Sequence, residues 1–484
     1  MDLTTLSASR RILLWAAVVS GLLLAMLDQT IVGTALPEIV QDLGGPGWYV
    51  WAFTAYLVPA TVLLPVAARL SDRYGRRHVL VAGMGLFVTG SALCAVAGSM
   101  PVLTAGRAVQ GVGAAALEAL SFIVVSELSG AGRRATGQAA LSAVMGFSFV
   151  AGPLVGGLLT DHVGWRWAFL VNVPIGLAGM AVLVRTLPRQ FGRHESRETP
   201  LDLLGIATLT VSVGALLLGL NRHQQLGTWG DPASGGAVGV GVLGLLVFLQ
   251  VERRAVAPII PLRLLRDRVT GRILLAGAFA TTGLYGAILL LPRWYQLEEG
   301  TSSTGSGLRL YPLLIALLLA VNIGAVAVVR RRDVRGPLLV AGALVLVGSA
   351  AFAALDESSP GWHPLLAMAV LGLGMGPALS GLQIAIGRTS APADLGAAMS
   401  ALLLGRQVIG AVALAAAEAL HRSAAMEQGP TAATGTTVAW VAGTGAVVAA
   451  VALLGLRGRL PEGPAAPAPS EVTEPRGVAS TSGA

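Results

Sequence analysis

The chain is 484 residues long, 54% hydrophobic and only 12% charged, with a formal net charge of +8 and a mean hydropathy of +0.73. So high an apolar content argues against a set of soluble domains and places the chain among polytopic helical membrane proteins. All 33 basic residues are arginine, so a phosphate-binding G-x-x-x-x-G-K loop, and with it an ATPase domain within the chain, is excluded.

Predicted spans fall at 12–34, 48–67, 79–98, 102–124, 137–160, 167–185, 202–221, 235–251, 273–295, 308–329, 338–355, 364–386, 398–420 and 436–456. Each is close to the length of about 20 residues that an α-helix needs to cross the hydrocarbon core. About fourteen helices, an even number, put both termini on one side. With the amino terminus inside, most of the 33 arginines lie in cytoplasmic segments, and the reverse topology would invert the positive-inside bias. The basic pI therefore reads as orientation signal, and nucleic-acid binding is not expected. Arg10 and Arg11 precede a span too long for a signal-peptide core, so the first helix is expected to be retained. Cys94 is alone, so no intramolecular disulfide forms. The six histidines show no H-x-x-x-H spacing and no G-x-S-x-G elbow occurs, so no metal site, cofactor or enzyme activity is expected.

The first span carries Asp28 within Met26-Leu27-Asp28-Gln29-Thr30-Ile31-Val32-Gly33-Thr34-Ala35-Leu36-Pro37. An ionisable group in a span costs roughly 3 kcal/mol, so it should face a cavity or a partner. The stretch resembles the L-D-x-T-I-V-N-x-A-L-P signature of the fourteen-helix drug:proton antiporters of the major facilitator superfamily, with Gly33 in place of the usual asparagine. The resemblance implies a proton-coupling or substrate role for Asp28; the other reading is a structural acid satisfied by a neighbouring arginine.

Between the second and third spans lies Ala68-Arg69-Leu70-Ser71-Asp72-Arg73-Tyr74-Gly75-Arg76-Arg77, a charged knot that must sit in water. It resembles the superfamily's G-x-L-a-D-R-x-G-R-R signature, with Ala68 for the first glycine. The resemblance implies conformational gating by Asp72, Arg73, Gly75 and Arg76; an ordinary basic loop is the plainer alternative. The fourth span begins Leu103-Thr104-Ala105-Gly106-Arg107-Ala108-Val109-Gln110-Gly111, similar to the family's embedded R-x-x-q-G-x-g, whose arginine is tied to proton relay. Arg107, Gly111, Ala114 and Glu118 share one helical face. By depth, Arg107 and Asp28 are plausible partners. Glu118 lies about 16 Å nearer the cytoplasm, as a substrate or proton carboxylate or as a locally satisfied acid.

The fifth span holds Gly146-Phe147-Ser148-Phe149-Val150-Ala151-Gly152-Pro153-Leu154-Val155-Gly156-Gly157. It resembles the antiporter signature g-x-x-x-G-P-x-x-G-G, characteristic of exporters, with Ser148 for its first glycine. Pro153 favours a kink, and Gly152, Gly156 and Gly157 permit close packing and bending, as a rocking helix or a purely structural one would need. Gly164-Trp165-Arg166-Trp167-Ala168-Phe169-Leu170-Val171-Asn172-Val173-Pro174-Ile175-Gly176 then matches the family's G-W-R-W-x-F-x-x-N-x-P-x-G.

Spans 202–221 and 235–251 are extra to a twelve-helix plan, and arginine-rich segments flank them at 185–200 and 252–272. The second segment reads equally as a surface amphipathic helix or a solvated linker. A second knot, Arg330-Arg331-Arg332-Asp333-Val334-Arg335-Gly336, repeats the placement of the first. Arg406-Gln407-Val408-Ile409-Gly410 resembles the family's R-Q-x-G element, and Arg406 needs a partner or a water-filled cavity. Glu418 is about 120° away around that helix, so it is not the same-face partner and is placed at the outer interface. From Pro461 onward the composition reads as a disordered tail.

The expectation is an all-α polytopic membrane protein with the major facilitator fold, two six-helix bundles plus two extra central helices. Its parts are an amino-terminal bundle at 1–185, linker helices at 186–272, a carboxyl-terminal bundle at 273–456 and a tail at 457–484. The resemblance implies proton-coupled efflux of drugs, antibiotics or other small amphiphilic molecules across the plasma membrane, both termini cytoplasmic. Its partners would be substrate, protons and lipid, with the monomer as the working unit; uptake of a small nutrient by symport or facilitation is the alternative. Asp28, Arg107, Glu118 and Arg406 are the expected proton-coupling or substrate residues.

Overall fold

The computed structural model describes residues 7–129, 134–187, 202–226, 230–256, 258, 262–331, 333–390 and 395–456. The expected tail and most of the 185–200 segment lie outside the described residues. The chain opens with α1 (Ala8–Leu43), α2 (Tyr49–Val62), α3 (Leu64–Tyr74), α4 (Arg76–Ala95), α5 (Met100–Ser129), α6 (Arg134–Val163), α7 (Trp167–Leu170) and α8 (Asn172–Thr186). Next come α9 (Leu203–Leu226), α10 (Ala237–Arg254) and α11 (Leu262–Arg266). The last set is α12 (Arg268–Phe279), α13 (Thr282–Leu297), α14 (Ser303–Arg309), α15 (Tyr311–Arg331), α16 (Arg335–Ala353), α17 (Trp362–Thr389), α18 (Leu395–Gln428) and α19 (Pro430–Leu454).

Among the described residues, thirteen helical stretches are long and apolar enough to cross a membrane, and α2–α3 forms the remaining predicted span. That span breaks at Leu63 because Pro65 has no N–H to donate to the Thr61 carbonyl. Pro312 breaks α14 from α15 in the same way. Several helices outrun their predicted ends, since polar residues continue a helix beyond the apolar core. The first charged knot is accordingly no open loop: α3 runs through Asp72 and Arg73, and α4 starts at Arg76. Gly75, at φ 88°, makes the turn between them, a conformation that an L side chain rarely adopts. The 252–272 segment is broken, with only α11 as a five-residue helix. At the start of α12, the Asp267 carboxylate accepts the Thr270 amide at 2.8 Å, and this bond holds it below the usual carboxylate range.

One packing pattern occurs twice. In the first set, α1 packs on α6 and α8, α2 on α5, and α4 on α5 and α8. In the last set, α12–α13 packs on α18 and α19, α15 on α17, and α16 on α17 and α19. The sets meet through α6–α14, α1–α13 and α2–α18. The extra helix α9 lies against both α2 and α18, and α10 packs behind it. Val240, Leu243 and Val247 on α10 are exposed, as suits a surface whose solvent is lipid. The end where α1 runs into α2 is called upper here; the arginine-rich end where α3 meets α4 is lower.

Candidate functional site

Two sites of different character lie within the membrane, that of Asp28 and Arg107 nearer the upper end and that of Glu118 about 16 Å below it along α5. The first is a buried polar network inside the first set. Asp28 of α1 and Arg107 of α5 form an ion pair, both completely buried. The carboxylate also accepts the Gln110 amide at 2.7 Å and the Asn172 amide of α8 at 2.9 Å. Gln110 accepts from Arg107 at 2.8 Å and donates to Ser91 of α4 at the same distance. Arg107 donates through Nε to the Ala52 carbonyl of α2 and lies 4.2 Å over the Tyr56 ring. Burial of a lone guanidinium would be prohibitive; the counter-charge, the carbonyl and the ring make it tolerable. Five helices thus contribute to the network around Asp28, α5 and α8 by bonding it directly and α2 and α4 through Arg107 and Gln110. Gln110, Asn172 and Ser91 were not singled out from the sequence, although Gln110 stands one turn after Arg107 and Asn172 sits inside the G-W-R-W stretch.

The second site lies where the two sets face each other. Glu118 of α5 is 8% exposed and makes no hydrogen bond or ion pair among the described residues. It lies within electrostatic reach of the Tyr56 phenol and of the Tyr285 phenol on α13. Tyr285 donates to Gln407 of α18 at 2.7 Å. Beside Tyr285 stands Arg406, also 8% exposed, whose Nε and Nη2 have no hydrogen-bond partner among the described residues. The spacing of Arg406-Gln407 and Gly410 has a local reason. A Cβ on Gly410 would fall 2.5 Å from the Tyr285 ring, so only glycine lets the phenol lie on α18 and reach Gln407. An acid and a guanidinium without partners among the described residues thus flank one tyrosine, the pattern of a polar binding site between two bodies. Asp28 and Arg107 meet as their depths suggested; Glu118 and Arg406 belong to this separate place.

The expected gating residues divide similarly. Gly152 and Gly156 of α6 lie against Thr30, Ile31 and Thr34 of α1, and Thr30 donates to the Ser148 carbonyl at 3.1 Å. Gly157 lies against Ser303 and Thr304 of α14, and Gly307 against the Pro153 carbonyl. In the knot, Arg73 is exposed beside the Tyr74 ring and Arg76 is buried; the Asp72 side chain lies outside the described residues. At the upper end, Asp161 accepts the Ser303 and Thr304 amides at 3.0 and 2.8 Å. There too Gln296 donates to the Thr34 carbonyl at 2.9 Å and Tyr49 to the Leu289 carbonyl at 3.2 Å. Glu418 is buried and paired with Arg293 of α13 at 2.6 Å rather than merely placed at an interface. Arg293 also lies over the Tyr49 ring of α2, so this pair sits on the seam.

The family described as Major Facilitator Superfamily matches residues 18–414. The chain is 32% identical over 406 residues to the multidrug transporter protein MdtP of Bacillus subtilis, covering 83% of this chain and 74% of that one. It is also 32% identical over 331 residues to multidrug resistance protein 3 of the same organism, and spans 63% of that relative's length. Among solved structures, a D-xylose-proton symporter superposes with a TM-score of 0.65 at 15% identity, over 94% of this chain and 99% of that chain.

Proposed function

The chain belongs to the Major Facilitator Superfamily and is a multi-pass membrane transporter rather than an enzyme; we propose that it exports drugs and other small amphiphilic molecules from the cytoplasm in exchange for protons. The observation that carries this reading is Glu118, an embedded carboxylate with no partner among the described residues, within electrostatic reach of Tyr285, beside which Arg406 stands. An uncompensated buried charge is costly. Glu118 is therefore receptive to whichever cation reaches it, a proton or a cationic substrate, and competition between the two couples their movements. A proton crossing inward releases about 2.3 kcal/mol per 100 mV, enough to drive a substrate uphill. The multidrug names of the relatives supply the substrate class. The arginine-rich lower end is assigned to the cytoplasm, with both termini on the cytoplasmic side of the plasma membrane.

The test is transport in proteoliposomes under an imposed pH gradient, with one permanently charged and one neutral substrate. Glu118→Gln is expected to abolish gradient-driven movement of both if the residue carries the proton. Loss confined to the cation assigns it to substrate recognition. Unchanged transport of both removes Glu118 from the mechanism, and wild-type movement of substrate along with the proton makes the protein a symporter.

A further inference from the structure

We propose that a cavity at the upper end of the last helix set, separate from the site of Glu118 and Arg406, binds a protonated organic amine. The cavity has a volume of about 500 Å³ and lies among the ends of α13, α14, α16, α17 and α19, a size that accommodates a drug-sized molecule. Four carboxylates line it, Glu298, Glu299, Asp356 and Glu357, against one guanidinium, Arg309. They are not equally committed. Asp356 is taken up by its own turn, accepting from Ser358 and Ser359, and Glu299 stands 3.8 Å from Arg309. Glu298 and Glu357 make no hydrogen bond among the described residues.

A second, independent observation points to a ligand. Tyr295 lines the same cavity, is only 2% exposed, and its hydroxyl has no hydrogen-bond partner among the described residues. That hydroxyl lies within electrostatic reach of Arg309 and Glu299 on the cavity wall. Next to it, the Trp294 ring lies tilted by 48° at 4.6 Å between ring centroids and is anchored by donating to Thr431 at 3.3 Å. A buried phenol without a partner is a cost that an N–H donor entering the cavity removes. An ammonium in the cavity can donate an N–H to that hydroxyl while the carboxylates of the wall balance its charge; the Tyr295 ring itself already carries the Arg309 guanidinium, 5.0 Å from its centroid. A simple metal ion fits less well, because no cluster suited to holding one occurs among the described residues.

This inference rests on the export reading only for where the ligand comes from, and its test needs no transport. Gly361 lines the cavity, has φ −57°, and a Cβ there meets nothing within 4 Å, so Gly361→Cys is a tolerated reporter in a Cys94→Ala background. The full chain in nanodiscs is reacted with a neutral methanethiosulfonate reagent, with phenethylamine or its neutral isostere 2-phenylethanol present. Phenethylamine at about ten times its half-saturating concentration should slow labelling about tenfold; the alcohol should not. Glu298→Gln with Glu357→Gln should raise the half-saturating concentration about tenfold or more, and Tyr295→Phe should weaken the amine but not its trimethylammonium analogue. No protection by the amine, equal protection by the alcohol, or full protection in the double carboxamide variant overturns the proposal. Proteoliposomes that fail to transport while the reporter is still protected overturn the export reading instead, and Glu118→Gln should leave the protection unchanged.

Discussion

Asp28 and Glu118 are both carboxylates deep in the membrane, yet their surroundings are opposite. Asp28 accepts from three side chains and faces a guanidinium; Glu118 accepts from none among the described residues. Removing one partner of a buried pair leaves the other charge stranded, at a cost of about 3–5 kcal/mol. Asp28→Asn should therefore lower the thermal midpoint of the purified protein and abolish uphill export. The double variant Asp28→Asn, Arg107→Gln removes both charges, so it should recover most of the midpoint while export stays lost. Recovery of uphill export in the double variant would make the network purely structural, which is the rival reading of Asp28. The depth of Asp28 and Arg107 was legible in the sequence because each is a charge inside an apolar run. Arg293–Glu418 was not, since it joins two helices 125 positions apart in sequence and periodicity within one helix says nothing about its neighbour.

At the scale of elements, α6 is the helix whose neighbours matter most, because it touches α1 on one side and α14 on the other. A Cβ on Gly157 would fall 2.5 Å from the Thr304 Cα and 2.6 Å from the Ser303 carbonyl oxygen. Those atoms are backbone and cannot swing aside. Gly157→Val must therefore push α14 away, at a cost of about 1–3 kcal/mol, which depopulates the arrangement closed at the upper end about fivefold or more. Transport should fall sharply with the protein still in the membrane; Gly239→Ala on α10, where a Cβ meets nothing within 4 Å, is the control. Wild-type rates in Gly157→Val would mean that this contact takes no part in the cycle. The glycines and proline of α6 could be read as packing devices from sequence, but the helices they pack against could not. Span positions were legible from apolar length; the break at Leu63 and the helical knot were not, because apolar length is blind to backbone hydrogen bonds.

For the molecule as a whole, the joined upper end carries a consequence. Asp161 with α14, Gln296 with Thr34, and Tyr49 with Leu289 and Arg293 bind the two helix sets together there. A transporter that rocks about a mid-depth site must open one end as it closes the other, so this arrangement is the one that admits substrate from the lower end. Direction then depends on which end faces the cytoplasm, and the arginine distribution assigns the lower one. Two single cysteines in the Cys94→Ala background test that assignment. Val256, 87% exposed at the lower end, should react with a membrane-impermeant thiol reagent only after cells are permeabilised. Gly361 at the upper end should react in intact cells. The opposite result would turn the molecule over, make the closed end cytoplasmic, and convert the same geometry into one that takes substrate from outside.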